Sequence, residues 1–230
     1  MSATNWISVS GGKDSTALLL WTIEEGLPSC RYVFADTQHE HPIVYEYLSY
    51  LEQQLGVTIE RVETEGFLNL CVRKGRFPST KARFCTEELK VIPMAKHMEA
   101  SEPGENHNVW VGVRAEESPS RASLPPYMGR EVKYPPRVTV RQTINHPLLD
   151  WTAAEVFEIH ARHNISPNPL YKMGISRVGC FPCIMARNAE LRKMFKTFPG
   201  VIDKIRQWEE TVATENNRSG RREGGSFFSW

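Results

Sequence analysis

Ser10-Gly11-Gly12-Lys13-Asp14-Ser15 follows a short apolar run, Trp6-Ile7-Ser8-Val9, and precedes a helical stretch, Thr16-Ala17-Leu18-Leu19-Leu20-Trp21. Strand, glycine turn and helix in that order make a phosphate-binding turn. Two glycines let the backbone approach an anion, and the helix presents unpaired N–H groups at the positive end of its dipole. Lys13 adds a mobile charge, and Ser10 and Ser15 add hydroxyl donors. The spacing fits neither the Gly-x-x-x-x-Gly-Lys-Ser/Thr loop of kinases and GTPases nor the Gly-x-Gly-x-x-Gly of dinucleotide folds. An ordinary glycine turn is the plain alternative, and a strand before it with a helix after it argues against that.

Working outward, amphipathic segments alternate in a βαβ manner. Strands are expected at Asn5–Ser10, Arg31–Ala35, Val57–Val62 and Val109–Val113, and helices at Ser15–Glu25, His41–Leu55 and Thr86–Ala100. This predicts an α/β fold, a doubly wound, mainly parallel sheet with ligands at the carboxyl ends of its strands. Ser10, Asp36-Thr37 and Arg114 leave three of those strands and should converge on one crevice. Residues 115–147 are rich in Pro and Arg with little periodicity, and read as a long functional loop within a nucleotide-binding domain of residues 1–150. Trp151–His163 returns to helix, with Asp150 or Thr152 as N-cap, and opens a helical C-terminal region, 151–215. Residues 216–230 read as a loose tail whose terminal aromatics dock on this subunit or on a neighbour, which leaves a homodimer open.

Charge is nearly balanced, 28 basic against 27 acidic residues, so there is no global signal for a polyanion partner. Between Arg73 and Lys96, however, seven basic residues stand against Glu87 and Glu88. They could meet nucleic acid or a phosphorylated substrate, and a solvated basic face is the commoner meaning. No signal-peptide pattern and no membrane-spanning apolar run occurs, so a cytoplasmic protein without a membrane partner is expected. Five cysteines in a reducing compartment suggest a metal site or redox chemistry rather than structural disulfides.

Cys180-Phe181-Pro182-Cys183 can chelate from a tight turn, but the spacing serves redox pairs, zinc and iron–sulfur ligation alike. It falls late in the chain, after a loop, which favours a metal centre with Cys85 as the next ligand. Cys30 and Cys71 read as core residues, with Cys71 held as a candidate fourth ligand. His160 and His163 lie one turn apart and permit joint chelation, an exposed helical pair being the simpler reading. His39 and His41 flank Glu40 at a strand exit and could line the crevice.

Taken together, several segments resemble the phosphoadenosine phosphosulfate (PAPS) reductase family, within the PP-loop ATP pyrophosphatase, or adenine nucleotide alpha hydrolase, superfamily. They are Ser10–Ser15, Ala35-Asp36-Thr37-Gln38-His39-Glu40, Phe84-Cys85-Thr86-Glu87-Glu88-Leu89-Lys90, Gly112–Ser118 with Arg121, His146-Pro147-Leu148-Leu149-Asp150-Trp151-Thr152, and Asn168-Pro169-Leu170-Tyr171 leading into Gly179–Cys183. The resemblance implies a Rossmann-like nucleotide fold with Asp36-Thr37 near the adenosine and Arg114 and Arg121 on phosphate or sulfate. Three departures matter. The Ser-Gly-Gly-x-Asp-Ser loop is intact, whereas PAPS reductases carry a degraded one. No cysteine follows Cys183 to act as the reductases' C-terminal nucleophile. Relative to the adjacent cysteine pair that holds a four-iron cluster in adenylylsulfate reductases, Cys85 matches the first member and Thr86 replaces the second.

A 4Fe-4S cluster on Cys85, Cys180 and Cys183 would have one open iron, unless Cys71 fills it, and an open iron can bind sulfide; zinc is the alternative. The resemblance extends to the thiolation and DNA-phosphorothioation members. It implies that ATP with Mg²⁺ adenylates an acceptor and that a sulfur donor then displaces AMP. Ser10, Gly11, Gly12, Lys13 and Ser15 would cradle the leaving phosphates, Asp14 would help place the metal, and Lys13, Asp14 and Arg114 would be catalytic. A PAPS or adenylylsulfate reductase using an external thiol, and a non-catalytic nucleotide- or nucleic-acid-binding module, remain as alternatives. The acceptor, small molecule or nucleic acid, is not identified by the sequence.

Overall fold

The computed structural model describes residues 3–220 together with Ser226 and Phe227. β1 (Asn5–Ser8) feeds α1 (Lys13–Glu24), and β2 (Cys30–Asp36), α2 (Pro42–Leu55), β3 (Ile59–Glu63) and α3 (Phe67–Lys74) follow. α4 (Phe84–Thr86), a π-helical turn (Glu87–Val91) and α5 (Ile92–Ser101) run on without leaving helical backbone. After β4 (Asn106–Trp110) come a 3-10 turn (Ala115–Glu117), α6 (Pro119–Ala122), β5 (Tyr127–Tyr134), β6 (Val138–Asn145) and α7 (Ala153–Arg162). The chain continues through α8 (Pro169–Lys172), α9 (Asn188–Thr197) and α10 (Gly200–Arg218).

The six strands form one sheet in the order β3-β2-β1-β4-β6-β5, parallel throughout except for β5 against β6. The doubly wound α/β fold expected from the alternation is therefore the fold observed. Successive side chains of β1 serve opposite faces, as a strand buried on both sides requires. Ile7 packs with Leu18 to Leu20, Leu48 and Ile159 on one face, while Trp6 packs with Val33, Met94, Met98 and Val109 on the other. The chain winds from β1 to β3 on one side and crosses to β4 on the other, so the crevice of the fold opens between the carboxyl ends of β1 and β4.

Local chemistry fixes the ends of the elements. His41 caps α2 by accepting from the Ile43 N–H, Pro42 opens the helix, and Gly56 closes it with a left-handed φ of 64°. Thr152, one of the two expected caps, forms a capping box with Glu155 at α7.

The long-loop reading of residues 115–147 is corrected, because most of the segment is the β5–β6 hairpin. The alternation Val138, Val140, Gln142, Ile144 carried the strand signal. Its third member is polar and buried, accepting from Arg130 (2.8 Å) and donating to Met98, which broke the pattern. The tail reading also changes. Residues 216–218 belong to α10, and Phe227 is buried among Phe67, Phe77, Trp208 and His39. Residues 221–225 and 228–230 lie outside the described residues.

Candidate functional site

Gly11 takes a φ of +72°, and a Cβ there would lie 3.0 Å from Val44 Cγ1. Gly12 is the N-cap of α1 and supplies no side-chain cap to the first amides of the helix. The turn is held from beneath by neutral groups. Ser15 Oγ donates to the Gly12 carbonyl and accepts from the Ser10 N–H and hydroxyl, each at 3.0 Å. Asn168 donates to the Gly11 carbonyl (3.1 Å), and Tyr171 accepts the Lys13 N–H (2.8 Å). His160 Nε2 donates to the Lys13 carbonyl (2.9 Å), and its buried Nδ1 has no partner, which defines the neutral tautomer. Burial lowers the pKa of His160 and keeps it neutral. His160 is thus a buried support rather than an exposed chelator, and His163 instead pairs with Glu24 (2.9 Å).

From across the crevice, Gly112 approaches so closely that a Cβ would stand 2.6 Å from the Asp14 carbonyl oxygen. Asp14 takes Lys13 Nζ on one carboxylate oxygen and Arg114 Nε on the other, both at 2.5 Å. Arg114 is 4 % exposed and also bonds Glu116 (2.6 Å) and the Trp151 carbonyl. Burial works against its charge, and the bonds to Asp14 and Glu116 more than offset this, so its pKa is raised. Arg121 pairs with Glu117. Both Asp14 oxygens carry cations, so the side chain as arranged is not a ready ligand for Mg²⁺.

Three cavities meet at Ser10. A polar cleft of about 560 Å³ runs from Gly12–Ser15 past Gly112, Glu117 and Arg121 to Tyr171, and Arg83, Arg177, Arg187 and Glu190 also border it. A smaller, largely apolar cavity of about 150 Å³ lies over β1, β2 and β4 between Phe34, Met94, Met98, Val109 and Val111. Its shape and lining suit a nucleoside base. The third, about 230 Å³, is bordered by Cys85, Cys180, Cys183 and Lys90, and it shares Ser10, Arg83 and Ser176–Val178 with the polar cleft.

The cysteine turn is docked on the exit of β2. Phe181 N–H donates to the His39 carbonyl (2.6 Å), and His39 Nε2 donates to the Pro182 carbonyl (2.8 Å). His39 is 1 % exposed and stacked on Phe67, and burial, with Lys204 adding to it, lowers its pKa to about 3. Glu40 is also buried and accepts from Thr37 Oγ1 (2.8 Å), the His39 N–H (3.1 Å) and Tyr45. Cys180 Sγ stands 4.0 Å from Glu40 Oε1 and from Thr37 Oγ1. Burial pushes the Cys180 thiol up while Lys90 works the other way, and the pKa of Lys90 is raised by the neighbouring Cys180 sulfur first and by Glu40, against the opposing effect of burial. Burial also raises the Cys85 thiol.

The structure therefore brings Cys85, Cys180 and Cys183 to one cavity, all as free thiols. Among the described residues, though, no three His, Cys, Asp or Glu side chains form a group able to hold a metal ion, so neither zinc nor a cluster has a ready donor set. Cys71 is fully buried in α3, away from the cavity wall, as its core reading expects. Thr37 borders the thiol cavity, whereas Asp36 borders none of the three and accepts from Tyr45 OH (2.7 Å) and the Gln38 N–H. Sequence reasoning missed half-buried Lys90 and buried Glu40 beside Cys180, although both lay inside quoted motifs. It also missed Arg177 and Arg187, which no motif marks. Among the described residues no helix is long and apolar enough to cross a membrane.

The sequence model of the phosphoadenosine phosphosulfate reductase domain matches residues 4–186. A 37.8 kDa protein of Escherichia phage 186 is 38% identical, over 99% of this chain and 79% of its own. Phosphoadenylyl-sulfate reductase from Candida auris, crystallised as a phosphate complex, superposes with a TM-score of 0.56 at 17% identity, over 80% of this chain and 84% of its own. FMN adenylyltransferase from Candida glabrata, in complex with FAD and inorganic pyrophosphate, gives 0.51 at 17% identity, over 76% of this chain and 54% of its own. At these identities the two structures share the fold with this chain.

Proposed function

The chain belongs to the phosphoadenosine phosphosulfate reductase domain family, and on that premise we propose that it is an ATP pyrophosphatase that adenylates an acceptor in support of sulfur transfer. One observation carries the reading: an intact Ser10–Ser15 turn at the start of α1 follows β1, which pairs with β4, and shares Ser10 with a cavity bearing three thiols. ATP enters as its magnesium complex. An acceptor oxygen attacks the α-phosphorus, the bond to the β-phosphate breaks, and pyrophosphate leaves against the α1 amides and Lys13. Sulfur from an external donor then attacks the activated centre, and AMP departs with the former acceptor oxygen.

The three thiols supply donor chemistry for a 4Fe-4S cluster that would present sulfide, but the side chains are not gathered to hold one. No step above depends on it. Anaerobic iron, sulfide and zinc analysis of wild type and Cys85→Ala decides this part. About four irons per chain, lost in the variant, support the cluster, and metal-free protein that still turns over removes it.

The main test is pyrophosphate release from ATP with candidate acceptors. Asp14→Asn is a poor probe because Asp14 also compensates the buried Arg114, whereas Lys13→Gln leaves that bond in place and should abolish release. Unchanged release in Lys13→Gln would remove the turn from the chemistry. Family membership also favours a second reading, a PAPS or adenylylsulfate reductase served by an external thiol. Calorimetry separates the two, since tight PAPS binding with none for ATP selects the reductase.

A further inference from the structure

Three charged side chains border the base-sized cavity over β1, β2 and β4: Glu40, Lys90 and Arg130. Glu40 already accepts from Thr37, the His39 N–H and Tyr45, and Lys90 lies against Cys180. Arg130 comes from the edge strand β5. The register sets it directly opposite Gln142 of β6, the next pair on the same face after Val132 and Val140, which pack on Ala95 of α5. Its Nε and Nη2 both donate to Gln142 Oε1, at 2.8 and 2.5 Å, and Gln142, 2 % exposed, donates in turn to Met98 Sδ (3.4 Å). A buried amide thus holds the half-buried guanidinium in one orientation. Glu87 and Glu131 border a second pocket, which shares Arg130 and Val91 with the cavity, and Glu131 pairs with Lys133 (3.3 Å). Among the described residues Arg130 forms no ion pair with either carboxylate, and its Nη1 has no hydrogen-bond partner. Burial lowers the pKa of the group, the cost of keeping a cation where a neutral amide is what faces it.

We propose that Arg130 reads the base of the bound nucleotide, donating a hydrogen bond from Nη1 to a ring nitrogen of the purine. The proposal rests on the adenine-nucleotide reading of the crevice and adds the side chain that recognises the base. A guanidinium has donors and no acceptor, so it selects a base edge that presents a lone pair, and N1, N3 and N7 of adenine are such atoms. A neutral acceptor suits a cation already aligned by a neutral amide, and a cavity that excludes water strengthens the bond. Gln142 is a positioning residue, which bonds Arg130 and Met98 and sets the direction in which Nη1 is offered.

The test is calorimetric titration of ATP and its 1-deaza, 3-deaza and 7-deaza analogues, with magnesium, into wild type and Arg130→Met. Each analogue replaces one ring nitrogen by C–H. One of the three should bind wild type about tenfold more weakly than ATP, the loss of one charge-assisted bond, and Arg130→Met should bind ATP and that analogue equally. A merely structural role would weaken all four ligands together and leave their ratios unchanged, and that result overturns the proposal. Equal ATP affinity in the two proteins also overturns it. Arg130→Met keeps the apolar stem of the side chain. Should it fail to fold, Gln142→Leu, which leaves Arg130 in place but unaligned, must narrow the same ratio, and an unchanged ratio there overturns the proposal. If wild type binds no ATP, the pyrophosphatase reading fails separately, and AMP with the same deaza series decides the base contact. Adenosine 3′,5′-bisphosphate checks the sugar. If it binds wild type about tenfold tighter than AMP and Arg130→Met removes that gain, the guanidinium serves a sugar phosphate and the base contact is overturned.

Discussion

The Ser10–Ser15 turn and the cysteine turn border adjoining cavities at the crevice, and their surroundings differ in kind. Beneath Gly11–Ser15 the supports are uncharged: the Asn168 amide, the Tyr171 hydroxyl, neutral His160 and the paired hydroxyls of Ser10 and Ser15. Around Cys180 they are ionisable side chains, buried Glu40 and half-buried Lys90, with His39 held neutral by burial. Uncharged supports fix one geometry regardless of what is bound. Ionisable side chains make the second region depend on pH and on its own protonation state.

The comparison is broken most directly at two glycines. Gly112→Ala forces a Cβ against backbone of the first turn of α1, where nothing flexible can yield, so it should cost about 3 kcal/mol and abolish nucleotide binding. Gly179, next to Cys180, has open space where its Cβ would lie, and Gly179→Ala should stay within about 0.5 kcal/mol of wild type. Thermal unfolding of the two variants with nucleotide titration checks both. Similar losses would mean that the cysteine turn is as tightly built as the phosphate turn.

A smaller effect sharpens the electrostatic half. The folded pKa of His39, about 3, lies below its ordinary 6.5, so the unfolded chain takes up the proton first. This contribution is complete above pH 6.5 and is lost progressively as pH falls toward 3. At pH 5 the loss is about 2 kcal/mol. Denaturant unfolding between pH 7 and 5 should show that slope, and His39→Gln, which cannot titrate, should flatten it. An unchanged slope would place the pH sensitivity elsewhere.

Tyr171→Phe probes the uncharged supports. It removes the acceptor of the Lys13 N–H and should cost about 1–2 kcal/mol, with weaker nucleotide binding and no change in pH slope. A changed slope would tie the two regions together.

The sheet was legible in the sequence because burial on both faces and the glycine turn leave local marks: apolar runs before Ser10 and in Val109–Val113, and helical periodicity in His41–Leu55. The hairpin was not, because a buried Gln142 imitates a break in the β6 pattern. Of the site, the turn and the thiols that gather at one cavity could be read from motifs. The pairing of Asp14 with Arg114 joins residues far apart in the chain, and Arg177 and Arg187 come to border the same cleft only after folding. Which charges cancel is a property of the folded molecule, so the sequence could point to Lys13, Arg114 and Arg121 without revealing that each is already paired.

The smallest effect is expected from the basic stretch Arg73–Lys96, where the sequence suggested a polyanion-binding face. Arg73 holds Glu65 (2.5 Å) and Glu88 (2.6 Å), and Lys74 holds Glu88 (2.5 Å). Arg76 lies over the Phe84 ring, Lys96 lies over Tyr134, and Lys90 points into the thiol cavity. These five charges are spread over separate partners instead of forming one open face. Arg73→Gln/Lys74→Gln should change stability by less than about 1 kcal/mol, as exposed ion pairs do. In an oligonucleotide titration across salt concentrations, two phosphate contacts would lower the log–log slope by about two when removed. The slope should instead stay where it is in this variant. A drop would restore the stretch as a binding face.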